Sequence, residues 1–101
     1  MGFRDYTPLT SVSDSATKLY DVPTGREVRI KKLFAYNSST SDVTVWLCDS
    51  GGTHVSPGIK VIAGQTVLLN ERELPEIRYT SDVYAIASAT GVEIQLEVEV
   101  I

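Results

Sequence analysis

The sequence predicts an all-β protein, a two-sheet antiparallel β-sandwich of about seven or eight strands behind an extended N-terminal arm. Three observations predict this fold class. Val, Ile, Thr and Tyr are frequent, and residues of these types favour strands. Clusters of turn-forming residues recur every 8 to 12 residues or so, which is typical of sandwiches and barrels. The one helix-like run, residues 70–74, is followed by Pro75, which would end a helix.

Strands are predicted at residues 17–22, 27–37, 43–49, 54–61, 66–70, 77–80, 83–89 and 92–101. In the last of them every second residue from Val92 to Val100 is apolar and the residues between are polar. This period of two predicts a strand buried on one face. In the second strand Val28 and Ile30 are out of phase with Leu33 and Ala35, and a β-bulge near Lys31 would reconcile them.

A weak internal repeat bears on the architecture. Residues 22–30 align with residues 61–69, and Thr40-Ser41-Asp42-Val43 recurs as residues 80–83. One interpretation is chance reuse of turn-and-strand residues. The other is a duplication, in which two similar units pack face to face as the halves of a jelly roll do. We therefore expect a jelly-roll-like sandwich.

The domain organisation predicted is an arm at residues 1–15, followed by the sandwich at residues 16–101. The arm is polar and has few apolar side chains, which we expect to be too few for it to fold back as a core element. It does carry Phe3, Tyr6 and Leu9. Ordering such a segment costs conformational entropy, so these three side chains are predicted anchors for a partner.

Composition excludes several classes of partner. The chain has 9 basic and 13 acidic side chains and a net charge of −4, whereas nucleic-acid binding needs a basic face. No stretch approaches the roughly 18 apolar residues of a membrane helix, and residues 1–6 lack the apolar region of a secretion signal. We expect neither a nucleic-acid nor a membrane partner. A single cysteine, Cys48, leaves no internal disulfide.

Catalytic and metal-binding residues are sparse. Cys48 as nucleophile and His54 as base are the one candidate catalytic pair. They flank a turn, however, and no third residue is indicated that would orient the histidine. There is no Cys or His cluster for zinc. Asp42, Asp49 and Asp82 lie in or beside turns without the spacing of a calcium loop, so we expect them to cap turns. The prediction is a non-enzyme with no catalytic residue, no metal site and no cofactor.

Charge and aromatic residues indicate contact surfaces instead. Arg29, Lys31 and Lys32 lie on one predicted strand, and an acidic ladder of Glu93, Glu97 and Glu99 lies on another. These strands either form two solvated faces, meet as neighbours in one sheet, or meet across a subunit contact. Trp46 alternates away from Val43 and Val45, and we expect it in the core rather than exposed on a binding surface.

Four segments carry a resemblance to a known group of proteins. They are residues 22–30 with their Pro-x-Gly turn, residues 33–39 ending in Asn-Ser-Ser, residues 43–47, and the Gly-led residues 63–69. This pattern over residues 17–101 resembles small β-sandwich accessory structural proteins of tailed-phage virions, which include capsid decoration, neck and tail components. The group lacks a common catalytic motif, so no residue role is carried over.

The resemblance implies a non-enzymatic structural protein of a virion, assembled in the host cytoplasm. Its partners would be further copies of itself, for example in a trimer, and a larger virion protein such as the major capsid protein. The alternative is a carbohydrate-binding or other ligand-binding sandwich module, which would use aromatic residues such as Trp46 as its platform.

Overall fold

A computed structural model describes residues 2–101 and contains ten strands and no helix in that range; Met1 lies outside it. The strands are β1 Phe3–Tyr6, β2 Thr10–Val12, β3 Thr17–Tyr20, β4 Val28–Asn37, β5 Val43–Cys48, β6 Ile59–Val61, β7 Thr66–Asn70, β8 Arg78–Tyr79, β9 Val83–Ala87 and β10 Val92–Val100. Within residues 2–101 there is thus no helix that meets the length and apolarity needed to cross a membrane.

Two antiparallel sheets form the sandwich. Sheet A has the order β1-β10-β4-β7, with β2 also pairing with β10 and β8 with β4. Sheet B has the order β3-β9-β5-β6. The pairs are nested along the chain: β5 with β6, β4 with β7, β3 with β9, and β1 and β2 with β10. A long hairpin rolled in this way is a jelly roll, so the predicted fold class is confirmed.

The core lies between the sheets, and the alternation of β5 and β10 places it there. All five apolar residues of β10 predicted to face inward, Val92 to Val100 at every second position, are fully or almost fully buried. Val43, Val45 and Leu47 of β5 are buried opposite them. Packing of these two faces is the main source of stability in a sandwich.

A β-bulge in β4 corrects the phase of its side chains, as the sequence predicts. Lys32 lies opposite Glu97 and Ile30 opposite Val98, so Lys31 is an extra residue without a partner on β10. On either side of it, Ile30 and Leu33 both face the core. The bulge therefore lets a ten-residue strand keep one buried face.

The repeated segments do not pack face to face, which is the arrangement that the duplication alternative predicted. The first copy contributes to β4 and β5 and the second to β7 and β9. Because β4 neighbours β7 in sheet A and β5 neighbours β9 in sheet B, the two copies interleave across both sheets. Their shared feature is a turn: Arg26 N–H donates to Pro23 and Gln65 N–H to Ile62, with Gly25 and Gly64 at positive φ.

The predicted strand at residues 54–61 is also largely wrong. Only Ile59–Val61 forms a strand, and His54 makes a single bridge to Cys48. Residues 49–58 instead form a loop held by side chains: Ser56 Oγ accepts the N–H of Leu47, and Asp49 Oδ1 accepts the N–H groups of Gly51 and Thr53. This loop lies over the outer face of sheet B.

The N-terminal arm folds back onto sheet A, in contrast to the expectation from its composition. Residues 3–6 and 10–12 run antiparallel to β10 along its whole length. Backbone pairing supplies most of the attachment, because β1 is exposed throughout and Val12 is the buried apolar residue of β2. The arm therefore covers an edge of β10 that would otherwise be open.

Thr7 fastens the arm between β1 and β2. Its buried hydroxyl oxygen Oγ1 accepts the N–H of Leu96 at 2.9 Å, and its own N–H donates to the Leu96 carbonyl at 2.9 Å. The Thr7 carbonyl accepts from Gln95 Nε2. We expect Thr7→Val, which keeps the shape and removes the acceptor, to lower the free energy of unfolding by about 1–3 kcal/mol.

Chemical denaturation checks this prediction. Thr10→Val is the matched control, because the Thr10 hydroxyl donates to a carbonyl in an exposed site and should change stability by about 0.5 kcal/mol or less. Equal effects of the two substitutions would contradict the role given to Thr7.

Candidate functional site

Cys48 and His54 do not form a catalytic pair in this structure. Cys48 is fully buried, and burial, with a smaller contribution from the Asp49 charge, raises the pKa of its thiol to about 11. A nucleophilic cysteine needs the opposite shift, because the thiolate is the reactive form. The His54 ring is stacked on Trp46, with 4.3 Å between ring centroids and 10° between the planes.

Trp46 is on the outer face of sheet B and is half-buried, so the expectation of a core position is wrong. It lies opposite Ile86 of β9, and the loop at residues 49–58 covers part of it. His54 occupies one face of the indole, and Gly58 is so close that a Cβ there would lie 2.9 Å from Nε1. A sugar platform needs an open aromatic face, which this contact restricts.

Of the three turn aspartates, Asp49 caps its own turn as expected, whereas Asp42 and Asp82 accept backbone N–H groups from segments distant in sequence. Asp42 accepts the N–H of Ala63, and this hydrogen bond, assisted by the Lys60 charge, lowers the pKa of the Asp42 carboxyl. Asp82 accepts the N–H of Val22 and lies 3.5 Å from Lys18 Nζ. Residues 2–101 hold no group of three or more His, Cys, Asp or Glu side chains placed to share a metal ion.

The basic strand and the acidic ladder are neighbours in sheet A, which is one of the alternatives the sequence left open. Glu97 lies opposite Lys32 and Glu99 opposite Arg29. The ion pairs are Arg29–Glu99 at 3.8 Å, Lys31–Glu99 at 3.9 Å and, from the arm, Arg4–Glu97 at 3.2 Å. These pairs set the register of adjacent strands.

Two of the predicted contact residues are thereby used inside the chain. Lys31 is 8% exposed and Glu97 5% exposed, and Lys31 also pairs with Glu71, which lowers the pKa of the Glu71 carboxyl. Burial leaves neither side chain available to a partner. Lys32 and Glu93 remain half-exposed, and within the described part of the chain neither takes part in an ion pair.

The three predicted anchor residues of the arm are exposed, and Phe3 and Tyr6, three residues apart on β1, lie on opposite faces of that strand. Phe3, Tyr6 and Leu9 are 49%, 54% and 57% exposed; we call them the arm patch. Arg26 lies 5.9 Å from the centre of the Phe3 ring. A hydrogen bond to Glu97 raises the pKa of the Tyr6 hydroxyl. Large apolar side chains exposed along one edge are typical of a protein contact.

A second exposed apolar group lies on the outer face of sheet A, and the sequence analysis missed it. Leu68 of β7 is 54% exposed and lies directly opposite Phe34 of β4, and Tyr36 beyond it is 41% exposed. We call Phe34, Tyr36 and Leu68 the face patch. The sequence of β4 does indicate this surface, because Phe34 and Tyr36 alternate with the core residues Leu33 and Ala35 and must face solvent. In β7 three consecutive apolar residues hide the alternation.

Comparisons with known proteins give a likeness in fold alone. No family model matches the chain, and no curated protein matches it. A solved structure of Bacillus endospore appendages, described as a family of disulfide-linked pili, is 15% identical, covers 98% of this chain and 86% of its own, and has a TM-score of 0.56.

Two viral structures are more distant. The virus-like particle of the giant freshwater prawn (Macrobrachium rosenbergii) extra small virus is 12% identical, covers 98% of this chain and 78% of its own, and has a TM-score of 0.48. The Tobacco streak virus coat protein is 11% identical, covers 96% and 85%, and has a TM-score of 0.43. The chain therefore shares its jelly-roll fold with an endospore appendage protein.

Proposed function

We propose that this protein is a non-enzymatic structural subunit that associates with further copies of itself and docks on a larger particle. The observation that carries the proposal is the face patch, whose exposed apolar side chains are neighbours on the outer face of sheet A, together with the exposed apolar residues along the arm at the opposite edge. Isolated exposed apolar residues are ordinary, but neighbouring ones indicate a surface that is covered in an assembly.

The surroundings of Cys48 and Trp46 support the same proposal. The thiol of Cys48 is buried with a raised pKa, and one face of the Trp46 ring is stacked against His54. The fold is shared with a protein of disulfide-linked pili, which are assemblies of repeated subunits. With its single cysteine buried, this chain would assemble through non-covalent contacts.

The particle we propose is a virion, with this chain as a capsid decoration or head or tail accessory protein assembled in the host cytoplasm. The larger partner would be the major capsid protein. The division into an arm, residues 1–15, and a sandwich, residues 16–101, is part of this proposal. The arm patch would make the docking contact, and Lys32 and Glu93, which lie beside Phe34 and Tyr36 of the face patch, would be further polar contacts.

Leu9→Lys tests the docking contact. The substitution places a charge in the most exposed member of the arm patch, and we expect affinity for the particle to fall at least about tenfold, the effect of losing one anchor residue. The probe is a shell assembled from the coat protein encoded beside this gene, and binding is measured by co-sedimentation.

Val55→Lys is the matched control, since Val55 is exposed on the loop that covers sheet B and its substitution should leave binding unchanged. Binding that is equally strong in Leu9→Lys and wild type would contradict docking through the arm. A gene with no coat, portal or tail gene beside it, or a chain that binds no shell, would contradict the virion role itself.

A further inference from the structure

Strand β7 forms the edge of sheet A opposite the arm, and within residues 2–101 it pairs with β4 alone. We propose that β7 pairs with β7 of a second copy of this chain, so that the two A sheets join into one continuous antiparallel sheet across a two-fold axis. This rests on the proposed function, because it assigns a surface to the proposed self-association.

The edge strands differ in how they are protected. Charged side chains and proline on an edge strand oppose pairing with another chain. Such a charge is present in β1 (Arg4 and Asp5), in β3 (Lys18), in β6 (Lys60) and in β8 (Arg78). The uncharged β2 is three residues long and follows Pro8, in the interruption of the ladder between Tyr6 and Thr10.

Strand β7 has none of these protections. Its sequence is Thr-Val-Leu-Leu-Asn, five residues without charge or proline. A strand paired on one side leaves N–H and C=O groups of its other side unpaired, and these groups are a template for a further strand; at the end of β7 the Asn70 carbonyl is already used, since it accepts the N–H groups of Glu73 and Leu74. An apolar, uncharged edge of this kind favours aggregation unless a specific partner covers it.

A second copy of β7 fits this edge by symmetry. In a two-fold pairing centred on Leu68, Leu68 lies opposite Leu68 of the second copy, Val67 opposite Leu69, and Thr66 opposite Asn70. Every pair is apolar or neutral, so no like charges meet. The same symmetric pairing at β6 would place Lys60 opposite Lys60, which is destabilising. Isologous contacts of this type are the commonest in soluble dimers.

The pairing would also cover part of the face patch, at Leu68 on the edge strand. Leu68 and Phe34 are direct neighbours across β7 and β4, so the two-fold axis would place both copies of the pair on the same face of the joined sheet. The exposed part of each Leu68 would then contact the Leu68 of the other copy. This contact would explain why a leucine stands at an exposed position in the centre of an edge strand.

Leu68→Lys tests the pairing. Two lysines would lie opposite one another at the centre of the contact, and we expect the dimer dissociation constant to rise at least about tenfold. Mass is measured by analytical ultracentrifugation over a range of concentrations. Val55→Lys, at an exposed apolar residue of the loop over sheet B, is the control and should leave the dimer unchanged. Melting temperature verifies that both variants are folded.

Leu68→Cys provides a second measurement that does not depend on weakening the contact. Facing copies of residue 68 should form a disulfide-linked dimer under mild oxidation, because directly opposed strand residues come within reach of a disulfide. The buried Cys48 does not compete, and Val55→Cys, at an exposed residue outside both patches, should cross-link far less. A dimer that forms normally in Leu68→Lys, or equal cross-linking at positions 55 and 68, would overturn the β7 contact while leaving self-association in place. A wild-type chain that is monomeric at every concentration would overturn self-association as well.

Discussion

Leu96→Ala is expected to lower the free energy of unfolding by about 2–5 kcal/mol, the range for truncating a buried leucine. Leu96 is fully buried at the centre of β10, opposite Leu33 of β4 on one side and joined to Thr7 of the arm on the other. The truncated side chain leaves a cavity between strands that are paired on both sides and cannot collapse freely. For a domain of this size the melting temperature should fall by on the order of 10 °C or more.

The comparison that isolates burial is Leu9→Ala, in which an exposed leucine of the arm is truncated. Its effect should be about 0.5 kcal/mol or less. Denaturant unfolding of the two variants measures both values. A loss below about 1 kcal/mol for Leu96→Ala would mean that β10 is not the centre of the core.

Asn37→Ala is expected to cost about 3 kcal/mol or more, because it removes four hydrogen bonds at a buried corner. Asn37 lies at the end of β4 and is fully buried. Its Nδ2 donates to the carbonyls of Ser41 and Val61, and its Oδ1 accepts from the N–H and the hydroxyl of Ser39. Without it the Val61 carbonyl stays buried and loses its partner.

Asn70→Ala is the control for the loss of an asparagine at a strand end. Asn70 ends β7 and is half-exposed, and its Oδ1 accepts one hydrogen bond, from the N–H of Arg72. We expect a loss of about 1 kcal/mol or less there. Thermal and denaturant unfolding of both variants would test this. Equal losses would contradict the stabilising role given to the four buried hydrogen bonds of Asn37.

The strands of the sandwich could be predicted where one face is buried and the other exposed. In β10 and β5 this asymmetry appears as an alternation of apolar and polar residues with a period of two. Within β4 a change in the phase of that alternation indicates the bulge at Lys31. The arm could not be predicted in this way. It is held by backbone pairing and by two buried side chains, Thr7 and Val12, and backbone hydrogen bonds leave no pattern of residue types.

The contact surfaces were predictable in part, for a related reason. Opposite charges on two strands indicate that the strands meet, but they do not indicate whether they meet within one chain, as Glu99 and Arg29 do. Trp46 follows the alternation of β5, yet its surroundings depend on a loop that brings His54 over its ring. Contacts between residues distant in sequence decide such details, and no local pattern encodes them.

The arm and β7 lie on opposite edges of sheet A, and this arrangement fixes the distance between the two arms of a dimer joined at β7. In a pair of copies joined at β7, the two arms would lie at the outer ends of eight strands, about 34 Å apart at the usual strand spacing. Such a pair would be a bivalent ligand with a fixed span. Docking sites at a matching spacing would be bound by both arms at once, with an avidity that exceeds the affinity of either arm. Sites at other spacings would bind one arm at a time. The spacing of sites, more than the strength of any single contact, would then decide where on a regular lattice this protein binds.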